Sequence, residues 1–281
     1  MTEPEDHVSA HYGRHGELTE RILATLAEDG KPTSPPRLED LRALDQLHNR
    51  GSEATAELAS LLSLGEDDLC LDIGCGMGGP TRQIAAASGC RLEGVDLTPA
   101  FIATAEALTH LTGLSDRVTF TCADACRLPF EDQRFSAVFT QHAAMNIADK
   151  PALYREAYRV LRPGGRFALY DVVAGRTGEP TFPMPWASQP EASHLLDAEA
   201  VKALIDGAGF TCRLWADRTP EAVAWGAKVQ SVRAAALAAG KPLPPSPARY
   251  LEGDLPTALA NMTAGLESGS LQVVMGLFLR P

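Results

Sequence analysis

The sequence predicts an α/β fold, with a mostly parallel sheet covered by helices on both faces. A helical N-terminal segment and a helical insertion before the last strand complete it. Three observations predict it. Short apolar runs alternate with helical stretches through the middle of the chain. Turn residues separate them at short intervals, the connection length of strand–helix–strand units in a parallel sheet. A chain of 281 residues, 45% hydrophobic and 22% charged, suits one globular core with appendages.

Residues 1–64 read as an N-terminal helical lid, with helical patterns at 17–28 and 53–62 around a loop holding Pro32, Pro35 and Pro36. Residues 65–218 read as the core. Its first strand is 68–74 and its first helix 79–88. The second strand, 91–97, leads into a helix from Pro99 to about Thr112, with Thr98 as N-cap and Pro99 at the first helical position. Strands follow at 117–123 and 135–141. A helix over 151–161 stops at the turn Arg-Pro-Gly-Gly, and a fifth strand covers 166–173. Residues 176–196 are rich in proline and carry the aromatic run TFPMPW. Residues 219–269 read as two helices around KPLPPSP, and 270–281 as the last core strand.

The balance of 25 basic against 36 acidic residues leaves a net charge of −11. Such a surface has no electrostatic footprint for nucleic acid or anionic lipid. The six cysteines form no C-x-x-C pair and fall mostly in apolar runs, as small buried residues of a reducing compartment do. No residue set reads as a metal site. The N-terminus has neither the basic nor the apolar segment of a signal peptide, and no apolar run approaches membrane-spanning length, so a cytoplasmic protein is expected.

Function is concentrated in the run LDIGCGMGG. A strand ends in Asp72, and Gly74, Gly76 and Gly78 follow at every second position. A glycine loop between strand and helix brings backbone close to a nucleotide-like ligand. Gly74, Gly76 and Gly79 also satisfy the G-x-G-x-x-G of dinucleotide enzymes. The neighbours decide between them. Asp72 beside the loop would repel a pyrophosphate but attract a cation or an amine. Asp96 closes the second strand, where a carboxylate accepts from ribose hydroxyls, and Asp124 closes the third. Three acids around one loop suit a ligand carrying an ammonium and a sulfonium, S-adenosylmethionine. Ligands in such sheets bind at the carboxyl ends of the strands, which places Gln141 and His142 at the same crevice.

The runs LDIGCGMGG, GVDLT, FTCADACRLPFEDQRFSAVFTQHAAMNI and LRPGG resemble class I S-adenosylmethionine-dependent methyltransferases of small molecules, over residues 65–175. The whole chain resembles more weakly the group holding sarcosine/dimethylglycine, geranyl-diphosphate, tocopherol and sugar-O methyltransferases. The resemblance implies a Rossmann-like, seven-stranded, mostly parallel sheet. It implies that Asp72, Gly74, Gly76 and Gly78 line the methionine part of the cofactor. Asp96 would take the ribose, Leu97 would pack on adenine, Asp124 and Ala125 would hold the adenine edge, and Gln141 would lie near the sulfonium. That group carries a lid histidine in a Leu-His-x-Gly type motif; here DQLHNRG offers His48, with Arg50 where a glycine is usual.

For the acceptor, His142 is the polar residue best placed to take a proton, against the alternative of a hydrogen-bonded wall residue. Tyr12 and His15 are candidates to close over the site from the lid, and Trp186 and Phe182 to wall the acceptor. Nucleic-acid amine methyltransferases resemble a pattern Asn/Asp/Ser-Pro-Pro-aromatic after the fourth strand, whereas this chain has Thr-Gln-His-Ala. The expected partner is therefore a small-molecule acceptor, methylated on N or O rather than C, with neither nucleic acid nor membrane and a homodimer as a possible assembly. A diphosphate acceptor would need Mg²⁺ or a basic cluster that the sequence does not offer. An NAD(P)-dependent oxidoreductase and a non-catalytic S-adenosylmethionine-binding protein are the alternatives.

Overall fold

The computed structural model describes residues 17–251 and 253–281. Tyr12 and His15 lie outside them. The described elements run α1 (Glu17–Glu28), α2 (Leu38–Leu41), α3 (Gly51–Leu62), β1 (Leu69–Ile73), α4 (Gly79–Ser88), β2 (Arg91–Asp96), α5 (Pro99–Leu111), β3 (Val118–Cys122), β4 (Phe135–Gln141), α6 (Lys150–Val160), β5 (Leu161–Ala174), α7 (Ala198–Gly207), β6 (Thr211–Asp217), α8 (Thr219–Ala238), α9 (Leu255–Ser268) and β7 (Leu271–Leu279). The strands form one seven-stranded sheet in the order β3-β2-β1-β4-β5-β7-β6. β1 to β5 pair in parallel, while β7 runs antiparallel between β5 and β6. Strand order reverses between β1 and β4, and the crevice of such a sheet opens there.

Alternation along the strands divides the core in two. Cys70, Ala137, Phe139, Ala168 and Tyr170 point to one face, covered by α3, α4, α8 and α9 through Leu58, Ile84, Ala222 and Met262. Leu71, Ile73, Val138, Phe167 and Leu169 point to the other, covered by α6 and α7 through Leu153, Tyr154, Val201 and Ile205. A third cluster lies off the sheet. In it Leu18, Ile22 and Leu26 of α1, Leu41, Leu44, Phe101 and Leu108 meet Met77 of the glycine loop and Tyr250 of the insertion.

The structure differs from the sequence expectation in three places. Arg-Pro-Gly-Gly does not separate α6 from β5. Pairing jumps from Phe135↔Leu161 to Ala137↔Arg166, so residues 162–165 are taken up as a bulge, with Gly164 at φ 73°. β6 is an edge strand of half-buried and exposed residues, which gives it no apolar run to be read from. Thr98 stands at the N-cap of α5, but its side chain makes no capping bond.

Candidate functional site

The glycine loop leaves β1 with Gly74, Gly76 and Gly78 all at positive φ (79°, 52° and 73°), a backbone that side chains disfavour. A Cβ on Gly74 would stand 2.3 Å from that of Ala143, and one on Gly78 would stand 2.5 Å from the Phe120 ring. Around Gly76 there is open space. Two of the three glycines are thus needed for packing, and the middle one leaves room for a ligand.

Asp72 is buried behind the loop, and its Oδ2 accepts from Thr81 Oγ1 at 2.6 Å. Burial, helped by the charge of Asp96 and opposed by the Thr81 bond, pushes its carboxyl up to about 7. Asp96 ties the loop to the residue that precedes α5. Its Oδ1 accepts from the Thr98 amide at 2.9 Å, and its Oδ2 accepts from the Gly76 amide at 2.9 Å. The carboxylate thereby joins loop to helix. Burial holds this carboxyl above its ordinary range too.

Leu97, next in line, is 38% exposed, an apolar platform beside the crevice. Cys122 Sγ donates to its carbonyl at 3.5 Å, and Ala123 N donates to Asp96 O at 3.0 Å, so the ends of β2 and β3 are tied together. Asp124 and Ala125 follow on this rim. Asp124 is exposed, and its Oδ1 accepts from the Cys126 amide at 2.8 Å.

At the end of β4 the structure brings Gln141, His142 and His48 together. Gln141 Nε2 lies 3.3 Å from His48 Nδ1, and Gln141 Oε1 lies 3.3 Å from Thr55 Oγ1. His142 adopts φ 49°, a strained conformation for a residue with a side chain. Its ring stacks on Tyr170 with centroids 5.2 Å apart, and the His48 ring lies 5.9 Å away. Burial pushes His48 down to about 4 and holds His142 well below its ordinary value, with His48 adding to the second shift. Both rings are neutral at physiological pH. The His142 Nε2 atom is buried without a hydrogen-bond partner, and the buried Tyr170 Oη, which faces the Arg50 guanidinium, has no acceptor for its proton. Trp186 stands elsewhere on this side. Half-buried with Phe182, it packs against the cluster that contains Tyr170, and its indole N–H donates to Ser193 Oγ at 3.0 Å.

Several residues at the site carried no signal in the sequence reading. Arg82 is fully buried; its Nη2 donates to Asp45 Oδ2 at 2.8 Å and to Met77 O at 2.7 Å, and its Nη1 to Ala105 O and Thr109 Oγ1 at 3.1 Å each. Gln46 Nε2 donates to Gln83 Oε1 at 2.6 Å and Gln46 Oε1 accepts from Thr55 Oγ1 at 2.9 Å. The run DQLHN is therefore seated on α3 and α4 side chain by side chain. The signal available was its density of polar residues directly before His48. Among the described residues no three His, Cys, Asp or Glu side chains cluster as a metal site, and no helix is long and apolar enough to cross a membrane.

Residues 71–169 match the family model described as a methyltransferase domain. The chain is 33% identical over 138 residues to methyltransferase GfsG of Streptomyces halstedii, covering 49% of this chain and 50% of that one. It is 31% identical over 172 residues to phosphoethanolamine N-methyltransferase 3 of Arabidopsis thaliana, covering 61% and 34%. The chain thus spans half or less of these curated relatives. Among solved structures, geranyl diphosphate C-methyltransferase from Streptomyces coelicolor A3(2), in complex with Mg²⁺, geranyl-S-thiolodiphosphate and S-adenosyl-L-homocysteine, superposes with a TM-score of 0.71 at 19% identity, covering 100% of this chain and 99% of that one. That likeness is one of fold.

Proposed function

We propose, from the premise that residues 71–169 form a methyltransferase domain, that this chain transfers the methyl group of S-adenosylmethionine to nitrogen or oxygen of a small molecule. The observation that carries the reading is the open space at Gly76, whose amide is held by the Asp96 carboxylate, with Asp72 buried behind the loop and Leu97 exposed directly after Asp96. This donor set fits an adenosine bearing a cationic amino-acid tail. It does not suit a pyrophosphate, because the Asp96 carboxylate occupies the Gly76 amide and brings negative potential where a dinucleotide needs positive potential.

The residues divide the work as follows. The loop Gly74–Gly78 and Asp72 take the amino-acid part, Asp96 the ribose, Leu97 the adenine face, and Asp124 with Ala125 the adenine edge. Gln141 marks the methyl-bearing end. A sulfonium methyl is already activated when bound, so the protein must align the nucleophile, exclude water and receive a proton. His142, adjacent to Gln141 with a bare Nε2, receives it. His48 and Gln141 hold each other, and through Thr55 they are tied to the N-terminal segment. We assign the described part of residues 1–64 and residues 219–269 as lid and acceptor cap, with Trp186 lining the acceptor. The six free thiols suit a reducing cytoplasm.

Calorimetry tests the donor site. The wild type binds S-adenosylhomocysteine, and Asp96→Ala weakens binding at least tenfold. Equal binding by both removes the assignment, and nicotinamide-dependent turnover without S-adenosylhomocysteine binding replaces it with a reductase.

A further inference from the structure

We infer that the acceptor presents an uncharged hydroxyl group on a largely apolar body, and that this hydroxyl is held between His142 Nε2 and Tyr170 Oη. The inference rests on the methyl-transfer reading and names its substrate class.

A buried ring nitrogen without a partner and a buried hydroxyl whose proton has no acceptor stand on adjacent, stacked rings. A buried donor or acceptor left unsatisfied is costly, so such a pair marks a place where another molecule completes the bonding. The chemistry of the two atoms is complementary to a hydroxyl. A neutral imidazole with a bare Nε2 accepts one hydrogen bond, and the Tyr170 hydroxyl donates one. One O–H group does both in return, giving its proton to Nε2 and accepting from Oη.

Charge argues against the anionic acceptors of the relatives. The charged side chains whose fields reach Tyr170 are Arg50, Glu57 and Glu221. Arg50 Nη1 is held by Glu57 Oε2 at 2.9 Å. Arg218 bridges Glu57 Oε1 at 2.6 Å and Glu221 Oε1 at 3.2 Å. Two guanidinium groups and two carboxylates cancel, and both histidine rings beside them are neutral. A phosphate brought here would have to break one of these pairs to gain a cation. An ammonium would meet no unpaired carboxylate in this group. Tyr170 belongs to the apolar cluster that also holds Met184 and Met262, with Phe182, Trp186 and Leu195 packed against that cluster, and we place the rest of the acceptor against this hydrocarbon and these rings.

The step balances without further reagents. The hydroxyl oxygen attacks the methyl carbon, the new O–C bond forms as the S–C bond breaks, and the bonding pair stays on sulfur, leaving S-adenosylhomocysteine. The hydroxyl proton passes to His142 Nε2. Positive charge vanishes at sulfur as it arises on the imidazole, so a site that resists a net cation is not asked to hold an extra one.

The test uses the full chain and four probes: 1-naphthol and catechol as neutral hydroxyls, sarcosine as an amine, and phosphoethanolamine as a phosphate. Labelled S-adenosylmethionine should transfer methyl to at least one of the two hydroxyl probes and to neither of the others. Separately, 1-naphthol fluorescence should report binding to the S-adenosylhomocysteine complex, weakened at least tenfold in His142→Ala and several-fold in Tyr170→Phe, with S-adenosylhomocysteine affinity unchanged in both. Transfer only to sarcosine or phosphoethanolamine, or transfer to naphthol unaffected by His142→Ala, overturns the hydroxyl assignment and leaves the methyltransferase reading standing. Binding of S-adenosylhomocysteine with no transfer to either hydroxyl probe also counts against it. Failure to bind S-adenosylhomocysteine removes both.

Discussion

At the scale of single residues, Asp72 and the glycines carry the sharpest expectations. Asp72 is held at about 7 by burial in the ligand-free protein, so near neutral pH a large share of it is protonated. A ligand with a cationic end binds the carboxylate form. Affinity for S-adenosylhomocysteine should therefore fall as pH drops through 7, by about tenfold per pH unit once the acid form dominates. Calorimetry across pH 5.5 to 8.5 measures the slope, and Asp72→Asn should flatten it whatever it does to affinity. An unchanged slope in that variant would assign the titration to another group, with Asp96 the first to examine. The glycines separate packing from binding. Gly74→Ala drives a methyl against Ala143 and costs about 1–3 kcal/mol of stability by overpacking, beyond its backbone strain. Gly76→Ala pays the strain alone, about 1–2 kcal/mol, yet places its methyl in the crevice. Thermal melts should rank Gly74→Ala as the less stable, while Gly76→Ala loses S-adenosylhomocysteine binding tenfold or more with a folded protein in hand. A Gly76→Ala variant that binds normally would move the ligand away from the middle of the loop.

At the scale of elements, the seat of residues 45–49 on α3 and α4 depends on one buried ion pair. Arg82 and Asp45 are 0% and 1% exposed, and the guanidinium also holds the Met77 carbonyl of the glycine loop and the α5 atoms Ala105 O and Thr109 Oγ1. Removing either partner strands a buried charge, so Arg82→Met or Asp45→Ala should each cost about 3–5 kcal/mol in denaturant unfolding. The double variant Arg82→Met with Asp45→Leu should recover part of that loss, and purely additive losses would show that the two side chains do not act as a pair. This pair also shows where sequence reading ends. β1, α4, β2 and α5 were legible because apolar period, glycine and proline are local signals, and the three acids at strand ends were legible because strand ends converge in a parallel sheet. Arg82 reads as one polar residue in a helix; only the arrival of Asp45, 37 positions earlier, gives it a purpose. Tyr170 lies hidden in an apolar strand for the same reason, since its part at the site comes from stacking on His142 across β4 and β5. β6 was illegible for want of a buried face. Asp96 ends β2, where the sequence puts it, but its bonds to Gly76 and Thr98 depend on loop geometry that no spacing encodes.

At the scale of the whole molecule, the N-terminal segment and the insertion before β7 close on each other rather than only on the sheet. Arg249 Nη1 donates to Asp29 Oδ1 at 2.7 Å and Oδ2 at 2.8 Å, and its Nη2 to Glu28 Oε2 at 2.8 Å, joining parts of the chain 220 residues apart. The next residue, Tyr250, buries its ring in the third cluster and donates its hydroxyl to the Leu44 carbonyl, one position before Asp45. One path of contacts thus runs from the insertion through residues 44–49 to the glycine loop, and ordering either appendage helps to order the other. The Arg249 ion pairs are half open to water, with side-chain exposures of 19% for Arg249 and 13% and 68% for its partners, so their worth is about 0–1 kcal/mol. Arg249→Ala should accordingly leave the melting temperature nearly unchanged. Amide exchange should reveal the contact instead: residues 17–29 and 247–251 exchange faster together, by up to about fivefold for 1 kcal/mol, while β1 does not change. S-adenosylhomocysteine bound at the loop should slow both segments in the wild type, and the slowing of 247–251 should shrink in the variant because its route through α1 is cut. Faster exchange in one segment alone would mean that the two appendages pack independently and that the crevice is closed from each side separately.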